Sequence, residues 1–253
     1  MGNDAFRFKQ FNVSHKRSSM KVGVDSVLIG SWARIKRGKV LDVGTGCGLI
    51  SLMVAQRDPF CRIEAIDIHK DSVEESKENF ISSVWRGRIN SRLIAFENLI
   101  IECGGNVYDT IVSNPPFYKA GVKNLDTSRM VARHQGELAP LPLIEGASKL
   151  LKCGGVLSFI LPYSLFKDLP IFSVDKSLIM SRVCNVKSKE NSCYKRCLVE
   201  YIKLFPDKKY IGINKSFSNV IRNIEVSSLT LFEYDGCPTN EYRQLCKDFY
   251  LKF

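Results

Sequence analysis

At 253 residues, with 45 % apolar and 25 % charged side chains, the chain has ordinary globular composition and the length for one α/β domain with a full core, with or without a short appendage. No stretch approaches the roughly 18 apolar residues of a membrane span, and the N-terminal MGNDAFRFKQ lacks the apolar core of a signal peptide, so the expected location is the cytoplasm. The net charge of +11 is uneven, residues 1–37 holding eight Lys/Arg against two Asp, and that bias favours a polyanionic partner.

Asp25–Ile35 (DSVLIGSWARI) reads as an N-capped helix with Val27, Leu28, Trp32 and Ile35 facing inward. From Lys39 to Pro162, short apolar runs alternate with helix-like segments, the pattern of a doubly wound, mainly parallel α/β sheet with helices on both faces. The first strand, Lys39–Val43, runs into Asp42-Val-Gly-Thr-Gly-Cys-Gly48 and then a helix over Leu49–Gln56. Glycines at 44, 46 and 48 permit a tight turn and a closer approach to a ligand at a helix N-terminus than any Cβ would allow. The second strand, Arg62–Asp67, ends nineteen residues after Gly48 on a carboxylate able to accept hydrogen bonds from ribose hydroxyls. The G-x-G-x-G spacing departs from the G-x-G-x-x-G of dinucleotide sites and points to a smaller adenosine-containing ligand.

A helix over Asp71–Val84 places Asp71 and Glu74 in its first turn and Val73, Phe80, Ile81 and Val84 on an apolar side. Ile89–Ala95 and Asp109–Ser113 read as the third and fourth strands, the latter followed by Asn114-Pro-Pro-Phe117. In an open α/β sheet Asn114 then lies on the same rim as the glycine loop. An exocyclic amine is a poor nucleophile because its lone pair is delocalised. The Asn114 amide oxygen and the Pro115 carbonyl, stiffened by Pro116, can accept from its N–H groups and aim the lone pair at a methyl. Phe117 offers a flat face for stacking. No general base is required before transfer, so neither His15 nor His134 is needed as a catalyst.

The polar segment Lys119–Glu137 holds Lys119, Lys123, Arg129, Arg133 and His134 against Asp126 and Glu137. It reads either as a solvated surface loop or, with Lys16 and Arg17, as part of an RNA-binding surface. Leu141–Leu151 is helix-like, Gly155–Leu161 is a fifth strand, and Arg196–Phe205 and Ser227–Tyr234 suit antiparallel strands at a C-terminal edge. The nine cysteines include no Cys-x-x-Cys pair, so reduced, mostly buried thiols and no metal are expected. The expected organisation is one compact unit, with residues 1–37 as a basic extension and helix packed on a catalytic domain of 38–253.

The glycine loop resembles motif I of class I methyltransferases that use S-adenosylmethionine, and Asn114–Phe117 resembles the (N/D)PP(Y/F) motif of amino methyltransferases. The chain as a whole closely resembles the bacterial family that methylates N6 of adenine 37, just 3′ of the anticodon, in valine tRNA. The likeness runs through Phe8-Lys-Gln-Phe-Asn-Val-Ser-His15, Met20–Asp25, Leu28–Ala33, Gly44–Arg57, Ser113–Tyr118, Ala132-Arg-His134, Lys195–Glu200 and Asp248–Phe253. The resemblance implies a Rossmann-like class I methyltransferase fold. It also implies S-adenosylmethionine held by Gly44, Gly46 and Gly48 with Asp42 bracing the turn and Asp67 on the ribose. Asn114, Pro115, Pro116 and Phe117 would then meet an adenine flipped out of the anticodon loop. Several relatives carry an acid near the end of the third strand, whereas this chain reads Ile94-Ala-Phe-Glu97, so that either Glu97 substitutes or Phe96 packs on the cofactor adenine. Two other readings compete: a glutamine N5-methyltransferase of peptide release factors, and a catalytically silent RNA-binding protein.

Overall fold

The computed structural model describes residues 4–18, 21–116, 139–173, 175, 177–205 and 224–253. Phe117, Lys119, Lys123, Arg129, Arg133 and His134 lie outside the described residues.

The chain opens with an antiparallel hairpin, β1 (Ala5–Arg7) with β2 (Asn12–Ser14), followed by α1 (Val24–Trp32). The alternating section is β3 (Lys39–Val43), α2 (Leu49–Arg57), β4 (Arg62–Asp67), α3 (Lys70–Ile81), β5 (Ile89–Leu93), α4 (Phe96–Cys103), β6 (Tyr108–Ser113), α5 (Pro140–Leu150) and β7 (Leu151–Pro162). A short α6 (Tyr163–Phe166), the hairpin strands β8 (Leu178–Lys187) and β9 (Tyr194–Lys203), β10 (Glu225–Thr230) and α7 (Asn240–Cys246) complete it. The eight-stranded sheet has the order β10-β8-β9-β7-β6-β3-β4-β5.

Strict alternation along the strands feeds two separate cores. Val40 of β3, Val112 of β6 and Ile160 of β7 face α1, α2 and α7, while Leu41, Ile111 and Phe159 face α4 and α5. The N-terminal hairpin adds to the first core, where Phe8 stacks on Phe11 and Tyr250.

Three features differ from the sequence expectation. In the eight-stranded sheet of the described residues β9 runs against the other strands: β8 and β10 both oppose it, so the edge strand β10 pairs parallel to β8. Asp25 does not cap α1, which starts from Gly23; its carboxylate accepts from Arg196 Nε at 2.7 Å, drawing it towards β9. Ile81 and Val84 are exposed because α3 ends at Ile81 and the chain turns away, whereas Val73 and Phe80 are buried as their spacing implies.

Candidate active site

The parallel register assembles the site. Val43 of β3 pairs with Ile66 of β4 on one side and with Ser113 of β6 on the other, so Gly44, Asp67 and Asn114 leave the sheet side by side at one rim. Ser113 reinforces this join by donating from Oγ to the Val43 carbonyl at 2.7 Å.

The loop between β3 and α2 is held from both ends. The amides of Gly44 and Thr45 donate to the Ile66 carbonyl at 2.9 and 3.0 Å, and the Gly46 amide donates to Asp67 Oδ2 at 2.9 Å. Gly46 has φ 55°, and a Cβ there would meet no atom within 4 Å, so its open side faces the cleft. Gly48, at φ 85°, serves packing instead: a Cβ would come within 2.4 Å of the Phe80 ring.

Asp42 lies beneath the turn, fully buried. Its Oδ2 accepts from Thr45 and Ser51 hydroxyls, both at 2.7 Å, while Oδ1 has no partner among the described residues. Burial, partly offset by the Ser51 and Thr45 hydrogen bonds and reinforced by the Asp67 charge, pushes this carboxyl up to about 6. Asp67 is differently placed at the rim, with Gly46 N–H on one oxygen and His69 N–H on the other at 2.9 Å. Burial pushes the loop's Cys47 thiol up to about 12, so it is not a nucleophile near neutrality.

Asn114, 6 % exposed, donates from Nδ2 to Ser26 Oγ of α1 at 2.9 Å. Together with Lys21, Val22, Gly44 and Gly46 these two residues line a narrow cleft. Pro115 and Pro116 follow Asn114 directly, outside any helix or strand.

Sequence reasoning missed Ser26, Lys21 and Val22, because only the fold brings α1 over the rim. It also missed the device that holds residues 14–18 beside the loop. Glu75 of α3 accepts from the amides of Lys16 (2.6 Å), Arg17 (3.0 Å) and Ser18 (2.8 Å) and from the hydroxyls of Ser14 and Ser18. Asn79, one turn on, bonds both backbone groups of Ser14 and the Cys47 carbonyl. Burial opposes ionisation of Glu75, but the Ser18 hydroxyl and the Arg17, Ser18 and Lys16 amides outweigh it and hold the carboxyl below the usual glutamate range. His15 accepts the Val22 amide at Nδ1, 2.8 Å, which closes the next turn.

Phe96 is turned away from the role expected of it. Its ring packs against Gly146 of α5 in the second core, leaving 4 % exposed, because α4 begins at that residue and faces the sheet. The exposed apolar side chain beside Asp67 is Ile68, at 44 %. Glu97 is exposed. Of the proposed RNA contacts that are described, Lys16 lies 3.7 Å from Asp4 and Arg17 pairs with Glu78, all on the surface.

Residues 23–165 match the family model described as Methyltransferase small domain. The chain is 36 % identical to the tRNA1(Val) (adenine(37)-N6)-methyltransferase of Christiangramia forsetii, covering 100 % of both chains. It is 36 % identical to the protein of that name from Trichodesmium erythraeum, again over 100 % of both, and 33 % identical to that of Aeromonas hydrophila over 99 % of this chain and 98 % of the relative. Among solved structures, one described as a predicted O-methyltransferase from Agrobacterium tumefaciens aligns with a TM-score of 0.60 and 16 % identity over 89 % of this chain and 96 % of that one. TYW2 from Pyrococcus horikoshii, solved with MeSAdo, aligns at 0.55 and 13 % over 81 % and 73 %. At these identities the structural likeness is one of fold. The chain belongs to the methyltransferase small domain family and, within it, to the tRNA1(Val) adenine-37 N6-methyltransferases.

Proposed function

We propose that the protein methylates N6 of adenine 37 in the anticodon loop of valine tRNA, with S-adenosylmethionine as donor. The observation that carries this reading is the adjacency of Gly44, Asp67 and Asn114 on one rim, set by the Val43–Ile66 and Val43–Ser113 pairings. The open side of Gly46 and the rim position of Asp67 fit the cofactor: a backbone that a ligand approaches closely, next to a carboxylate with lone pairs to spare after two amide bonds. Bound there, the cofactor supplies a methyl group on a sulfonium.

The protein's own part is positioning. Asp67 takes ribose hydroxyls while fixing Gly46, Asp42 braces the turn from below, and Ile68 gives the adenosine an apolar surface. Ser26 engages Nδ2 of Asn114, which leaves Oδ1 to accept from the adenine amino group. The Pro115 carbonyl is the second acceptor and Phe117 the stacking face. With both N–H groups so held, the nitrogen lone pair would be turned out of conjugation towards the methyl, so that the C–N bond would form as the sulfonium S–C bond broke to leave a neutral thioether, and the surplus proton would leave to water.

Nucleoside mass spectrometry of tRNA incubated with the protein and S-adenosylmethionine tests this, with a gain of N6-methyladenosine as the expected result. Methylation of release-factor glutamine with tRNA unchanged would overturn it.

A further inference from the structure

A hollow of about 490 Å³ opens at the opposite rim of the sheet, where β3, β4, β5 and β6 begin. Lys39, Arg62, Arg86 and Arg88 line it, with Glu64 as its one carboxylate. Arg88 is committed to the Ala55, Asp58 and Cys61 carbonyls at 2.8–3.0 Å. Glu64 is likewise taken, by Arg92 and by the Tyr108 hydroxyl, each at 2.8 Å. Nearby Asp109 accepts from Lys152 Nζ and from the Lys39 backbone amide. That leaves the side-chain cations of Lys39, Arg62 and Arg86 exposed and, among the described residues, in no ion pair.

Register sharpens the point. Lys39 and Arg62 are direct partners in the β3–β4 ladder, so their side chains leave the same face next to each other. Like charges so placed repel unless an anion lies between them. Three cations on three separate segments around an open hollow match a chain of phosphates. The five residues of β3 put this rim about 17 Å from Gly44, on the far side of the sheet, where the body of a folded RNA can reach while its loop occupies the cleft.

We propose that this hollow is a second RNA-docking surface, which grips the phosphodiester backbone of the tRNA body while the anticodon loop is engaged at the other rim. The inference rests on the tRNA reading above. The test compares full-length valine tRNA with its isolated anticodon stem-loop, each titrated across salt concentrations against wild type, a Lys39→Ala/Arg62→Ala/Arg86→Ala variant and an Arg62→Glu/Arg86→Glu variant. The triple variant is expected to lower the slope of log affinity against log salt by about two to three for full-length tRNA, and charge reversal to weaken that binding further. Affinity for the stem-loop, and methylation of it, should stay as in wild type. An unchanged slope for full-length tRNA, or an equal loss for both RNAs, overturns the proposal. Methylation by the wild type reports on the substrate separately. A wild type that methylates tRNA alongside variants that bind it normally rejects the hollow alone, whereas one that methylates no tRNA rejects both readings.

Discussion

Asn114 and Asp42 sit a few residues from the same rim and do different work. In the proposed reaction Asn114 acts on the reacting amine, so Asn114→Ala is expected to lower kcat by on the order of 10²-fold or more with cofactor affinity nearly unchanged in calorimetry. Ser26→Ala should lower kcat by a smaller factor, about five- to tenfold, the worth of one hydrogen bond, again without loss of cofactor affinity. Normal turnover in both variants would remove the Asn-Pro-Pro turn from the chemistry. Asp42 reports through pH instead. Its folded value near 6 lies above its ordinary 3.8, so the protonated form favours folding, and its contribution is full below the lower value and lost as pH rises through the higher. Asp42→Asn removes that titration. Relative to wild type, the variant should therefore gain stability between about pH 4 and pH 7, by up to about 3 kcal/mol on top of a pH-independent offset. Thermal melts across that range measure it, and a constant difference between the two proteins would mean Asp42 ionises as freely folded as unfolded.

At the scale of elements, α3 is the part whose sequence conveys least of its role. Its acids look like a solvated, dipole-matched first turn, and only the structure shows Glu75 and Asn79 turned towards residues 14–18. Glu75→Ala orphans three amides and should cost about 2–4 kcal/mol of stability. Because Lys21 and Val22 follow that segment into the cleft, cofactor affinity should fall as well. Calorimetry with S-adenosylmethionine checks the second effect, and unchanged affinity would uncouple the clamp from the site. The wild-type contribution of Glu75 is present above its unfolded pKa and lost as pH falls through its lowered folded value, the opposite sense to Asp42. The strands were legible to the degree that their alternation is regular. Lys39–Val43 and Arg62–Asp67 read correctly to the residue because each is a short apolar run closed by a polar signal. β8 escaped notice because a register shift between Met180 and Arg182 breaks the period of two and sets an arginine inside the strand. Helix α4 did so although Phe96, Leu99, Ile100 and Cys103 form a stripe towards the second core, because its eight residues, closed by a left-handed Gly104, repeat that period for barely two turns.

For the molecule as a whole, exposed cations border the sheet at both rims, Lys16 and Arg17 on the side of the cleft and Lys39, Arg62 and Arg86 at the other. Lys16 and Arg17 flank the cleft in exposed pairs with Asp4 and Glu78. Such exposed, solvent-screened pairs add little to stability, and a phosphate can replace either acid. Lys16→Ala/Arg17→Ala should thus flatten the salt dependence of RNA binding by up to about two units for the stem-loop and full-length tRNA alike, in contrast to the opposite rim. Equal slopes in wild type and variant would leave both cations as solvated surface. The order of the rim residues was legible from the sequence, since a glycine turn, a strand-terminal acid and an Asn-Pro-Pro turn each follow an apolar strand. Their lateral adjacency was not, because it depends on β3 lying between β4 and β6.

The contact between Gly48 and Phe80 also bears on redesign. Any substitution of a loop glycine adds atoms and can only narrow or reshape the cleft, yet the three surroundings are not equivalent. Positions 44 and 46 border empty space, where Asn, which tolerates left-handed backbone, is the natural trial residue. At position 48 even one methyl would drive Phe80 outward, and with it the helix that carries Glu75 and Asn79. A combinatorial library that leaves Gly48 alone would spend its diversity on shape, whereas one that varies it would mostly recover chains with a dislodged N-terminal segment.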